Sequence, residues 1–184
     1  MTTLDALNQL LGAMPGHALP GLRRQAEEDA PLLRELFVAR RWQEFSAAPG
    51  WSDAQRLVFL HGQAQAQRLH YEQHYPRADF LIVEHATQAI GRLCLSLEKH
   101  QVRVVDIALL PAYQGQGLGS QLLGAVLALA DHLGKPCGLS VEPSSPAHRL
   151  YTRLGFKASE DQGVYLQMLR PVPADTTRSA LMDT

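Results

Sequence analysis

A strongly apolar run from Gln101 to Leu110 stops at Pro111, passes through Gly115, Gly117 and Gly119, and resumes as an apolar helical pattern. No other feature constrains the fold as much. A buried strand feeding a glycine-rich loop, with a helix that begins inside the loop, gathers main-chain N–H groups at the positive end of a helix dipole. Glycine lets the backbone turn sharply and puts no side chain in front of those groups. The segment Asp106 to Leu123 thus reads as a cradle for a phosphate or diphosphate. Two common cradles are excluded. A Walker loop needs a lysine after its last glycine, and none is present. A dinucleotide fingerprint starting from Gly115 and Gly117 needs its third glycine where Ser120 stands. The preceding strands also look antiparallel, unlike the first unit of a dinucleotide-binding fold.

The rest of the chain surrounds this unit. Residues 1–20 carry a short apolar pattern ended by Pro15, Gly16 and Pro20, a weak helix or loose N-terminal arm ahead of a domain over 21–170. Residues 22–26 suit a short strand. Asp29 stands as a candidate cap, with Pro31 in the first turn, for a helix over 30–46 that Ala48, Pro49 and Gly50 end. Ser52 and Gln55 form a capping box for a helix over 53–74, stopped by Pro76. The period then changes to two, and 79–84, 89–97 and 101–110 read as strands. A helix over 117–133 ends at Gly134, and 137–141 is a buried strand. Ser145 as cap and Pro146 at the first position open another helix, which Gly155 closes. Strands over 156–159 and 163–170 flank a turn at 160–162, and the polar tail 171–184 is expected to be mobile. This is an α/β layout with a mixed sheet.

Composition narrows the function. The chain has 184 residues, 46% apolar and 19% charged, as in one soluble globular domain. Lys and Arg total 17 against 18 Asp and Glu, so no excess of positive charge points to nucleic acid. No run is long enough for a membrane span. The first 21 residues lack a basic start and carry Asp5 and Asn8 in their apolar part, so a signal peptide is not expected and a cytoplasmic setting is. Cys94 and Cys137 lie far apart in apolar runs and read as small buried hydrophobes. His70 and His74 are four apart, but the run is not H-E-x-x-H and no third ligand is evident, so no metal is expected.

Gln114, Gly117 and Gly119 form Q-x-x-G-x-G on the strand-to-helix loop. Further on stand Ser145-Pro146-Ala147, Leu150-Tyr151 and Gly155-Phe156. Together these segments resemble the acetyl-CoA signature of the GNAT superfamily of N-acetyltransferases, over roughly residues 22–170. The resemblance implies a mixed, mostly antiparallel six- to seven-stranded sheet flanked by helices, with one strand pair splayed at the cofactor site. It implies acetyl-CoA as donor, a small-molecule or peptide amine as acceptor, and a possible homodimer. It places the pantetheine arm along the main chain of Ile107, Ala108 and Leu109. It places the diphosphate on Gln114, Gly115, Gln116, Gly117, Leu118, Gly119 and Ser120. Ser145 stands where the family usually has an asparagine that bonds the cofactor, and Gly115 and Gln116 are neutral where it often has arginine. Arg149 and Arg153, on the following helix, could supply charge to the phosphates.

The implied reaction needs a neutral amine, stabilisation of the oxyanion and protonation of the departing thiolate. Tyr151 matches the family's leaving-group acid; a phenol has a pKa of about 10, near that of an alkyl thiol. A buried helix tyrosine under the sheet is the plainer reading. Asp106, a lone acid in an apolar strand, is either a base or half of a structural pair. Glu142, Glu98 and Glu72 read more readily as solvated or salt-bridged. Trp42 and Trp51 flank the loop that borders the implied acceptor groove, and packing explains them equally well. Ser145 also reads as a plain helix cap. No cysteine stands near the motif loops, which fits direct attack without an acyl-enzyme. The alternative function is a catalytically silent CoA-binding regulatory domain on the same fold. The acceptor is not coded in any motif.

Overall fold

A computed structural model describes residues 1–16, 19–46, 49–162 and 165–174. Helix α1 (Thr3–Gly12) leads into strand β1 (Gly21–Arg24), followed by the antiparallel helices α2 (Ala30–Ser46) and α3 (Asp53–His74). Strands β2 (Asp79–His85), β3 (Gln88–Leu97) and β4 (Val102–Leu109) form a meander. Helix α4 (Leu118–His132) then crosses to β5 (Cys137–Val141), and α5 (Ala147–Arg153) precedes the hairpin β6 (Lys157–Gln162) and β7 (Tyr165–Arg170). The seven strands lie in the order β1-β2-β3-β4-β5-β7-β6. Every neighbouring pair is antiparallel except β4 and β5.

Both faces of the sheet are covered, which is why β3 is buried without a break from Ile90 to Ser96. Leu93 and Leu95 face the main core, built with Leu122, Leu123 and Val126 of α4 and Leu7 and Leu11 of α1. Arg92 and Cys94 face the opposite side, toward α2 and α3. Period-2 geometry would put Asp106 on the same face as Val102 and Val104, inside the apolar core. A bulge prevents this. Leu95 pairs with Val104 while its neighbour Cys94 pairs with Asp106, leaving Val105 as the extra residue. The bulge turns Asp106 to the α2–α3 face and returns Ile107 and Leu109 to the core side.

The segment 1–20, read as a weak helix or loose arm, forms a true helix. Thr2 and Asp5 make a reciprocal capping box. Leu7 and Leu11 are almost fully buried, worth roughly 1.5–3 kcal/mol each. Asn8 reaches β1 with both ends of its amide: Leu22 N–H donates to Oδ1 and Nδ2 donates to Leu22 C=O, each at 2.9 Å.

Other boundaries shift. Asp29 does not cap α2 through its side chain. It ends a 3-10 turn and accepts two bonds from the Arg23 guanidinium and one from Ala26 N–H. The expected turn at 160–162 lies within β6, whose hairpin partner begins at Tyr165. Gly163, Val164, Ala48 and the tail from 175 lie outside the described residues.

Candidate active site

β4 runs beside β5 only at Val102, Val104 and the residue between, opposite Cys137 to Leu139. Beyond the Val105 bulge the two strands part. β5 stays paired with β7 as far as Val141, so a wedge opens between it and the Asp106–Leu109 half of β4. On that half the peptide groups facing β5 have lost their ladder partner.

The glycine loop lies at the end of this strand. Gly115 and Gly117 have φ of +73° and +84°, and a Cβ at either would meet nothing within 4 Å. The glycines are therefore required by backbone conformation and not by crowding. Gly117 is the N-cap of α4 and offers no side chain to its first turn. The first bond closing the helix runs from Gln121 N–H to Gly117 C=O at 3.0 Å. Among the described residues the N–H groups from Gly115 to Ser120 reach no main-chain acceptor. The loop is exposed from Gln114 to Gly117 and carries no acidic residue. Side-chain amides hold its shape: Gln114 Nε2 donates to Leu109 C=O at 2.8 Å and Gln116 Nε2 to Ala112 C=O at 2.7 Å. Gln114 thus shapes the turn with its amide, leaving the main chain as the donor set.

Tyr151 is 7% exposed and belongs to the core. Its position is fixed by the end of α5. Phe156 N–H donates to Tyr151 C=O and Gly155 N–H to Thr152 C=O, both at 3.1 Å, around Gly155 at φ +88°. This is a Schellman closure, and its apolar contact is the edge-on packing of Tyr151 on Phe156 at 5.9 Å. The Gly-Phe pair of the sequence motif is the device that holds Tyr151 in place. Burial, and then the charge of Asp106, push the phenol up to about 12, offset in part by Arg40. It is protonated at neutral pH.

Asp106 is buried and doubly paired. Arg92 donates Nε to Oδ2 at 2.9 Å and adds a second bond from Nη2, while Arg40 Nη2 donates to Oδ1 at 3.0 Å. Burial acts to raise this carboxyl; the two guanidiniums outweigh it and hold it below the ordinary carboxylate range. Arg92 also donates to Gln67 of α3 at 3.1 Å and lies 5.5 Å from the Tyr71 ring. The cluster ties α2, α3, β3 and β4 together. Sequence reading flagged Asp106 but missed Arg40 and Arg92. The available signal was Arg92 itself, a second lone charge inside an apolar strand.

The remaining candidates disperse. Ser145 Oγ accepts from Ala147 N–H at 3.3 Å, but the helix starts one residue later than expected: Pro146 stands at the N-cap of α5 and Ser145 just before it. Glu142 faces Arg41 at 3.4 Å, and Glu72 faces Arg68 at 3.7 Å. Glu98 accepts from Gln101 at 2.7 Å in the β3–β4 turn, at the opposite end of β4 from the wedge. Trp51 packs edge-on against Phe59, which also meets Phe45, closing the α2–α3 hairpin. His70 and His74 stack at 3.9 Å, and among the described residues no third ligating group joins them. Burial pushes both cysteine thiols up to about 12, so they are inert. Arg149 is exposed on α5, next to the loop: a Cβ on Gly119 would sit 3.7 Å from Leu150 Cδ2.

The fold thus presents a strand pair that parts beyond Val104 and, at the end of one of its strands, an exposed glycine loop that opens a helix. The acetyltransferase (GNAT) family profile matches residues 36–156, and the chain belongs to that family. It is an acetyltransferase and acetyl-CoA is its donor. Solved structures share the fold. The PaiA N-acetyltransferase of Thermoplasma acidophilum, in complex with coenzyme A, is 19% identical with a TM-score of 0.63, covering 83% of this chain and 98% of that one. An acetyltransferase of Thermus thermophilus is 21% identical with a TM-score of 0.60, covering 83% and 97%. A protein named PH1933 from Pyrococcus horikoshii is 14% identical with a TM-score of 0.65, covering 84% and 99%. No curated protein matches by sequence. Among the described residues, no helix is long and apolar enough to cross a membrane.

Proposed function

We propose that the protein acetylates a primary amine by direct attack, with the main chain holding the donor and Tyr151 protonating the leaving group. The observation that carries this reading is the row of open N–H groups from Gly115 to Ser120 beside the β4–β5 wedge. An exposed, acid-free loop at a helix N-terminus fits a diphosphate. Bound there, acetyl-CoA supplies a thioester carbonyl to the amine. Past Val105 β4 has no neighbouring strand on the β5 side, and an extended chain takes that place along Ile107, Ala108 and Leu109. Tyr151, kept protonated by burial, gives its proton to the departing sulfur and regains one from the newly bonded nitrogen through water. The C–N bond forms as the C–S bond breaks, and the enzyme returns unchanged.

Asp106 is reassigned from base to positioning residue. A carboxylate held by two guanidiniums has little affinity for a proton. Its part is to hold Arg40 and Arg92 and the bulged strand. The test is thiol release from acetyl-CoA with a panel of amines. Release that depends on Tyr151 supports the reading, and tight CoA binding with no release from any amine overturns it in favour of a silent CoA-binding domain.

A further inference from the structure

The Asp106 cluster is electrically unbalanced. Two guanidiniums share one carboxylate, and among the described residues no other ionised carboxyl contacts them. Arg92 is buried, and its Nε and Nη2 donate to Asp106 and Gln67. Arg40 differs. Its Nη2 alone is used, toward Asp106 Oδ1 at 3.0 Å and toward Ile107 C=O at 3.4 Å. Nε and Nη1 donate to nothing among the described residues, and 42% of the side chain faces solvent. One edge of a planar fork is therefore fixed to β4 just past the bulge, and the remaining donors are free. On the other side of Arg92, the cavity between α2 and α3 is lined by Arg34, Arg68, Gln65 and Gln67, again without a carboxylate.

We propose that Arg40 anchors a carboxylate on the acceptor, which makes amino acids the substrate class of this enzyme. The inference rests on the acetyl-transfer reading above. A guanidinium pinned by one nitrogen presents its other donors in a fixed plane, the geometry that a carboxylate matches. The surplus positive charge repels polyamines, which bring only ammonium groups. The same charge disfavours an ammonium beside it, so a neutral amine is easier to present where no free base stands.

Two measurements test this. Calorimetry in the presence of CoA compares N-acetyl amino acids with the matching N-acetyl amines that lack the carboxylate. Thiol-release kinetics compares the parent amino acids with their decarboxylated amines. Wild-type protein is expected to bind and turn over at least one carboxylated series and to discriminate against its decarboxylated partner at least tenfold. Arg40→Gln is expected to raise KM for the amino acid at least tenfold with CoA affinity unchanged, and Arg40→Lys to recover part of the loss. Equal binding of both series, binding of neither, or equal loss on both in Arg40→Gln overturns the anchor. Carboxylate-selective binding without thiol release leaves the anchor standing and removes the transferase reading instead. If Arg40→Gln melts far below wild type, Arg40→Lys decides alone: a raised KM for the amino acid with that for the decarboxylated amine unchanged supports the anchor, and wild-type discrimination or an equal loss on both series overturns it.

Discussion

The two ends of the site bind charge in opposite ways. From Gly115 to Ser120 every second residue is glycine, and the main-chain N–H groups reach no main-chain acceptor among the described residues. At the Asp106 cluster, side chains from four elements close on one another, with one edge of Arg40 left open. The first arrangement suits a ligand common to a whole family, because every backbone offers the same donors. The second depends on particular residues and so can be tuned to one acceptor. Under the proposed reading, donor binding is written locally in this chain and acceptor selection is written across it.

Between these ends stands Tyr151, and removing its hydroxyl is the sharpest cut. Tyr151→Phe is expected to lower kcat by roughly 10²–10⁴-fold with CoA affinity unchanged by calorimetry. Turnover equal to wild type takes Tyr151 out of the mechanism. The closed end breaks next. Asp106→Asn leaves two buried guanidiniums without their carboxylate and is expected to cost about 3–5 kcal/mol by denaturant unfolding. The same variant probes pH. The folded-state pKa of Asp106 is lowered, so its stabilisation is present above the unfolded carboxyl value of about 3.9 and is lost as pH falls below it. Wild-type stability is expected to drop through that acid range more steeply than that of Asp106→Asn; parallel acid profiles would show the pair to be energetically silent.

The open end is broken by Gly117→Asp, which puts a Cβ at φ +84° and a carboxylate before the donors. A loss of CoA affinity of about 100-fold or more is expected, from left-handed strain of about 1–2 kcal/mol plus charge repulsion. Unchanged affinity in a folded variant contradicts the cradle. The smallest effect sharpens the link between the ends. Gly155→Ala strains the Schellman turn by about 1–2 kcal/mol. It is expected to lower kcat through Tyr151 while leaving the KM for acetyl-CoA near wild type.

This contrast also explains what was legible beforehand. Gly117 at the start of α4, the Ser52–Gln55 box and Gly155 after α5 are signals that act within a few residues, and the structure places each at its helix end. Arg40 and Asp106 are 66 residues apart, and nothing local couples them. The Val105 bulge was invisible for a related reason. An apolar run with both faces buried carries no alternation, so an inserted residue leaves no mark in the pattern. The helix α1 was underrated because its burial depends on α4, far along the chain. Asp29 was misread because its partner, Arg23, lies on a strand and outbids the helix for its oxygens.

Asn8 has a consequence for solubility. By occupying the outward N–H and C=O of Leu22 it imitates the strand that would otherwise extend the sheet at β1. The first helix is thus a plug against polymerisation as much as a packing element. Removing the chain through Asn8, or exchanging Asn8 for a residue without an amide, would leave a sticky border where another copy could add on.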